Sequence, residues 1–429
     1  MLVPSTDGAR AGPAPRKPVL SSERTDGPAA AEEAVPGAPW YRLDRRTDGL
    51  RAPVACWLLT RLVLVWVALA GVGGTNDEAH QLYPAWAAEL ARGHFPVHDS
   101  QWQYPPVAGL VFLAPRALPF LGYAGAFIVL MLLCDAAVAL LLARASRGPG
   151  RGNHGLWLWA LGLPFLLQLP YLRFDVAVTA LAVGAVLLLD RAPAGGGVLA
   201  ALGALIKAWP VLVLIGAPRG RATRRSWASA LVSGAVVSAV LLLTFSHAFS
   251  FLSEQSSRGI EIESLPGALL LAARHLGYHG GIAYRYGSFQ VSGPYVHGLS
   301  SAALLLTVLG FGWLLWWRLR ARRWSAATPA DAALTAMLIF VTTSRVISPQ
   351  YLVWLIGLGA VCLVFRDTSQ RGVALALLPI TLLTTLVYPT LWQPLLDGQT
   401  LATVLLLLRD TALLAVTLWS ALRLWRATA

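Results

Sequence analysis

Apolar runs near the length of a bilayer crossing recur along most of the chain, and polar residues collect in the breaks between them. The runs fall near 52–72, 105–120, 121–143, 155–171, 174–190, 196–216, 227–247, 297–317, 331–346, 349–365, 372–391 and 401–422. A transmembrane helix needs about 20 mostly apolar residues, so the pattern predicts an all-α polytopic membrane protein of about twelve transmembrane helices. Two breaks are long, 73–104 and 248–296. Long connections in a compact fold are usually functional. Within the first, apolar residues Leu82, Trp86, Ala87 and Leu90 recur at helical spacing and predict a helix lying along the membrane surface over 79–92.

Composition supports the membrane assignment: 56% of residues are hydrophobic and only 13% are charged, against about 25% charged in a soluble domain. Residues 1–40 are rich in Pro, Ala, Gly and Ser with no apolar segment fit for a cleaved signal. They read as a disordered cytoplasmic tail ahead of one transmembrane domain over 41–429. The formal charge of +13 comes almost wholly from arginine, since Lys17 and Lys207 are the only lysines. Basic loops facing the cytoplasm account for that charge without nucleic acid.

Arg42, Arg45, Arg46 and Arg51 hold the start of the first span inside. The Arg-rich connections 217–226, 318–324 and 365–372 and the C-terminal RLWRATA then fall on the cytoplasmic side. The basic loop 144–154 falls outside, as an exception, and both long loops share the external side. Cys56, Cys134 and Cys362 all lie inside apolar runs and have no ligand-like spacing, so neither a disulfide framework nor structural zinc is expected.

Asp77 and Glu78 follow the first span directly. Carboxylates at a helix start serve as caps, and Thr75 and Asn76 add to that reading; bare carboxylates at a bilayer surface also suit acid–base chemistry. Gln103-Tyr104-Pro105-Pro106 reads as a rigid entry turn to the second span, because paired prolines are tolerated where first-turn amides lack partners.

Charges also sit in or beside spans: Arg173 with Asp175, Lys207 ahead of Pro210, and Arg345. A charge near the bilayer centre costs roughly 3 kcal/mol or more, so it faces the bundle interior and has a partner or a task. Lys207 is either half of an intramembrane ion pair or a ligand contact. Arg173 and Asp175 are placed on a cytoplasmic turn, pairing locally. Arg345, with Ser348, Gln350 and Tyr351 just beyond, forms an anion-binding rim. In the second long loop, Glu261 and Glu263 flank a β-like alternation, and Ser264-Leu265-Pro266-Gly267 turns into a short amphipathic helix. Its dense aromatics, Tyr278, Tyr284, Tyr286, Phe289 and Tyr295, suit an interfacial belt or the grip of a polar ligand.

Taken together, the chain resembles the GT-C membrane glycosyltransferases, and within them family 87, the polyprenyl-phosphate-mannose-dependent α-mannosyltransferases of actinobacteria. The resemblance rests on Asp77 after span one, Tyr83, Trp86, Gly93, Pro96, Tyr104-Pro105-Pro106, Lys207 with Pro210, the run from Arg258 to Pro266, and Ser348-Pro349-Gln350-Tyr351. Glu78 and His80 beside the acid depart from the pattern. The resemblance implies transfer of a sugar, mannose by preference, from a polyprenyl monophosphate to an acceptor hydroxyl on the external face, with inversion.

Inversion by direct displacement needs one carboxylate to take the acceptor's proton, a role given to Asp77. Cations suffice to hold the departing phosphate: Arg345, Lys207 and Arg258, in that order. Glu78, Tyr104, Glu261, Glu263, Gln350 and Tyr351 complete the expected substrate site. No cofactor is expected, and the external loops hold no DxD-like cluster, so no metal is expected either. The donor, a lipid or glycan acceptor and membrane lipid are the partners. An arabinose donor within the same fold, and a lipid-linked sugar flippase or transporter, are the rival readings.

Overall fold

The structure, a computed structural model, describes residues 45–71, 78–96, 99–245, 247–252, 255 and 258–429. The tail expected over 1–40 lies outside the described residues. The chain is mostly helical: α1 (Arg45–Ala70), α2 (Tyr83–Ala91), α3 (Ala108–Leu113), α4 (Tyr123–Ala145), α5 (His154–Gly162), α6 (Leu169–Leu172), α7 (Asp175–Leu188) and α8 (Pro193–Ile206) make the first half. The second half holds α9 (Arg221–Thr244), α10 (Leu265–Arg274), α11 (Val296–Arg320), α12 (Thr328–Thr343), α13 (Tyr351–Val364), α14 (Arg371–Thr385), α15 (Trp392–Leu396) and α16 (Thr400–Thr428). Among the described residues, six helices are long and apolar enough to cross a membrane, and several shorter apolar helices pack between them. It is a polytopic helical membrane protein.

Burial divides the helices. Nearly every residue of α12 and α13 is buried, so this hairpin is the axis of the bundle. By contrast α9 and α11 leave Leu231, Val236, Val240, Leu243, Leu304, Val308, Leu309 and Leu319 exposed, a surface that only lipid makes favourable. Glycines set the closest approaches: a Cβ at Gly155 would lie 2.2 Å from the Ala360 carbonyl oxygen, and one at Gly197 2.0 Å from that of Ser226. Such contacts bring α5 against α13 and α8 against α9, the small-residue packing that membrane bundles use. Deep in the bundle Arg61 and Asp135 form an ion pair of 2.7 Å. Trp57, Trp159 and Tyr171 donate to the Asp135 carboxylate, and Arg61 also donates to the Trp159 and Ala160 carbonyls.

The path of the chain differs from the hydropathy reading in two places. The 105–120 run does not reach the far end of the bundle. Its Val107 amide donates to the Leu205 carbonyl at the end of α8, Arg116 reaches the Ala87 carbonyl of α2, and Tyr123, opening α4, donates to the Phe112 carbonyl. The helix thus folds back with the Pro105-Pro106 turn at its head. The 196–216 run breaks at Lys207: α8 stops there, and a 3-10 helix, Trp209–Gly216, returns with Pro210 packed toward Gly203.

The two departures cancel, so the basic connections after 217 gather at one end of the bundle, as their charge grouped them. Between them the sides exchange. The basic 144–154 loop is no exception: Gly152 donates to the Val364 carbonyl, Arg366 to that of Gly150, and Asn153 to that of Gly49, which joins it to the 365–372 connection and the start of α1. The turn holding Arg173 and Asp175, expected beside the basic loops, sits at the opposite end.

That opposite end carries the only strands described. β1 (Ile260–Glu261), β2 (Gly281–Arg285) and β3 (Ser288–Ser292) form an antiparallel sheet in the order β1-β3-β2, with Ile260 opposite Val291 and Gly281 opposite Ser292. Ile260 and Ile262 are buried against α10 and α16, while Glu261 and Glu263 take the alternate positions. Ser264 caps α10 by accepting from the Gly267 amide, as its turn sequence predicts.

Candidate active site

A cavity of about 550 Å³ opens at this end between the two long loops and the ends of the buried helices. It is within the range of small-molecule sites. The first loop supplies Glu78, Leu82, Trp86 and Tyr104, and the second supplies Arg258, Glu261, Glu263 and the rim of β2 and β3. Arg173 comes from the α6–α7 turn, Lys207 from the end of α8, Arg345 from the end of α12, and Gln350 and Tyr351 from the start of α13. The loops are stitched across the opening: Gln255 donates to the Gln103 carbonyl at 2.8 Å, and Tyr284 to the Gln101 side chain at 3.1 Å.

Glu78, Tyr104, Lys207, Arg258, Glu261, Glu263, Arg345, Gln350 and Tyr351, singled out along the sequence, therefore line one cavity. Asp77 lies outside the described residues. Arg173 was not among the expected ligands. It does not pair with Asp175 but reaches across the cavity to Glu78 at 2.5 Å, because its turn lies at the cavity end. Asp175 instead holds Lys207 at 2.7 Å and accepts from Trp354. The Lys207 ammonium is boxed by Phe174 and Trp354, with ring centres 4.9 and 4.8 Å away. The ion-pair reading of Lys207 is thus what the geometry gives, alongside its place on the cavity wall.

Arg258 and Arg345 differ from these two cations. Arg258 donates to Ser288 at 3.2 Å; Arg345 donates to Ser300 at 3.2 Å and to the Gln255 carbonyl at 2.9 Å. Neither forms a salt bridge with a described carboxylate, and the two guanidinium groups repel one another. A pair of like charges facing a cavity, in no salt bridge among the described residues, favours an anion.

Next to them stand Glu261 and Glu263, 6% and 2% exposed. Burial pushes Glu261 up to about 7, against the pull of Arg258 and a hydrogen bond from Ser348, and pushes Glu263 up to about 8, against the pull of Arg409. Burial also raises the Tyr104 phenol to about 12, which leaves it a neutral hydrogen-bonding group. Other lining residues that sequence reasoning passed over are Trp209, Trp354, Tyr388 and Trp392. The aromatic break after Leu386 in the penultimate apolar run was the available signal for the last two.

One end of this helical membrane bundle thus brings cations, carboxylates and aromatic rings together around a single cavity. Its family is settled by sequence: the model of glycosyltransferase family 87 matches residues 102–349, more than half of the chain, and the chain belongs to that family. It is accordingly a glycosyltransferase, with a sugar donor and an acceptor. No curated protein and no solved structure matches it.

Proposed function

We propose that the protein is an inverting transferase of GT-C architecture, with about twelve crossings, which moves a sugar from a polyprenyl phosphate to an acceptor hydroxyl at the extracytoplasmic face. Mannose is the preferred sugar. The observation that carries this reading is the pair Arg258 and Arg345, cationic and without a described carboxylate partner, on the wall of a cavity flanked by lipid-facing helices. A phosphate placed there leaves the sugar toward Glu261 and Glu263 and the lipid chain toward Phe251, Leu252 and Phe340, the apolar part of the lining.

In the displacement, the acceptor oxygen forms a bond to the anomeric carbon as the bond from that carbon to the phosphate oxygen breaks. The acceptor's proton passes to a carboxylate, and the electron pair of the broken bond stays on the phosphate, held by the two arginines. Asp77 is the base. It directly precedes Glu78, which lines the cavity. Lys207, already neutralised by Asp175, has the lesser share of the phosphate.

The reading is tested by supplying the purified full-length protein with radiolabelled polyprenyl-phosphate-mannose, or its arabinose counterpart, and a membrane lipid extract. Label moving from the mannose donor into a new product is the expected result. Transfer from the arabinose donor alone would move the sugar assignment, and transfer from neither would overturn the donor.

A further inference from the structure

The charge on the cavity wall is not spread evenly. Along the segment leading from the second loop into α10, Arg258 comes first, then Glu261 at the end of β1, then Glu263. Glu261 closes β1 and Glu263 stands in the turn that follows, which the Ser264 amide closes by donating to the Glu261 carbonyl, while Ile260 and Ile262, the residue before each, are wholly buried in the core beneath and both glutamates line the cavity. The fold therefore directs both carboxylates to the cavity.

One oxygen of each, Glu261 Oε2 and Glu263 Oε1, is buried and has no hydrogen-bond partner among the described residues. The other Glu261 oxygen accepts from Ser348 at 3.3 Å. Arg409, the buried cation beneath Glu263, spends a hydrogen bond of 2.6 Å on the Glu263 backbone carbonyl, not on its carboxylate. Buried polar atoms are nearly always paired, so atoms left over at the wall of a cavity point to a ligand that donates to them. A phosphate diester cannot donate to them, since it brings only acceptor oxygens. A sugar can: its hydroxyls both donate and accept, and its C–H faces pack on aromatic rings. Phe289, Tyr388 and Trp392 line the same part of the cavity, Trp392 standing edge-on to both others at 5.6 and 4.9 Å.

We propose that Glu261 and Glu263 form the subsite that reads the hydroxyls of the transferred sugar, with Phe289, Tyr388 and Trp392 bounding the ring, while Arg258 and Arg345 hold the phosphate. This rests on the donor reading above and adds which residues select the sugar. Tyr388 lines the cavity together with Arg173 and Glu78, so the sugar half of the cavity adjoins the first loop.

Binding to the full-length protein in lipid nanodiscs separates the parts, using a short-chain polyprenyl phosphate and the same lipid carrying mannose as probes. Wild type is expected to bind the mannosylated probe more tightly. Glu261→Gln and Glu263→Gln are expected to lose that increment, roughly tenfold or more, because a site built for hydroxyls is sensitive to each lost partner. They keep wild-type affinity for the sugarless phosphate, which also reports that they are folded. Arg258→Ala weakens both probes. If neither probe binds wild type, the donor reading fails and the subsite with it. If both bind and the glutamate variants keep the full increment, only the subsite fails. Should Glu263→Gln not fold, mannosyl probes lacking single hydroxyls are measured on wild type: at least one must lose the increment, and tolerance of every deletion would overturn the assignment.

Discussion

Glu263 is buried beside another carboxylate and over a buried arginine that binds its backbone instead, and this sets its behaviour with pH. The groups facing it are Glu261 on its own segment, Arg409 and Asp410 on α16, and Arg173 on the α6–α7 turn; Glu261 in turn faces Arg258 and Ser348. Both acids are raised from 4.5, to about 8 and about 7, so the folded protein holds protons that the unfolded chain has released in that interval. Their contribution to stability is complete below about pH 4.5 and is lost as pH rises through about 7 to 8. The unfolding temperature is therefore expected to fall over that range, and Glu263→Gln to flatten part of the fall; an unchanged slope would show that Glu263 titrates normally. Single residues were legible in proportion to how far they stood from apolar neighbours. Glu78, Arg258 and Glu261 lie in polar loops and were visible as candidates, whereas Arg61 and Asp135, whose partners lie far along the chain, and the adjacent pair Arg409 and Asp410 sit inside apolar runs.

The Arg61–Asp135 pair ties α1 to α4 and, through the Trp159 and Ala160 carbonyls, to α5. Arg61→Met leaves Asp135 charged and buried, and is expected to cost about 3–5 kcal/mol; replacing both partners by apolar residues costs much less. Denaturation of the single and double variants distinguishes this from a pair that contributes nothing. A second element-scale expectation concerns the turn into α10. A Cβ at Gly267 would lie 2.2 Å from the Glu261 carbonyl oxygen, so Gly267→Ala must shift the backbone that carries both glutamates. A loss of roughly 1–3 kcal/mol in stability, with weakened sugar binding, is expected; a fully active variant would show that this close approach is dispensable. The turn, the strand alternation and the loop helix were all readable locally, because caps, prolines and period are local signals. The reversal at Lys207 was not, since apolar residues continue on both sides of it.

Across the whole molecule, two local departures exchanged the ends of the segments between 121 and 207 and left the rest in place. Hydropathy windows count apolar residues and do not see a helix fold back, so one run too many and one reversal too few still grouped the connections after 217 at the ends where the structure has them. Single cysteines at Arg147 and Arg219 should accordingly be labelled from the same side of the membrane by an impermeant reagent. Labelling from opposite sides would contradict the path described. The gathering of Glu78, Lys207, Arg258, Arg345 and Tyr351 at one end depends on that path, and it surrounds the place where transfer is proposed. The most direct test of that proposal is single-turnover transfer from radiolabelled polyprenyl-phosphate-mannose into a membrane lipid extract by wild type and Asp77→Asn, with donor binding measured in parallel. Asp77→Asn is expected to bind donor as wild type does and to transfer at least about 100-fold more slowly, the usual effect of removing a general base; equal rates from the two proteins would contradict it.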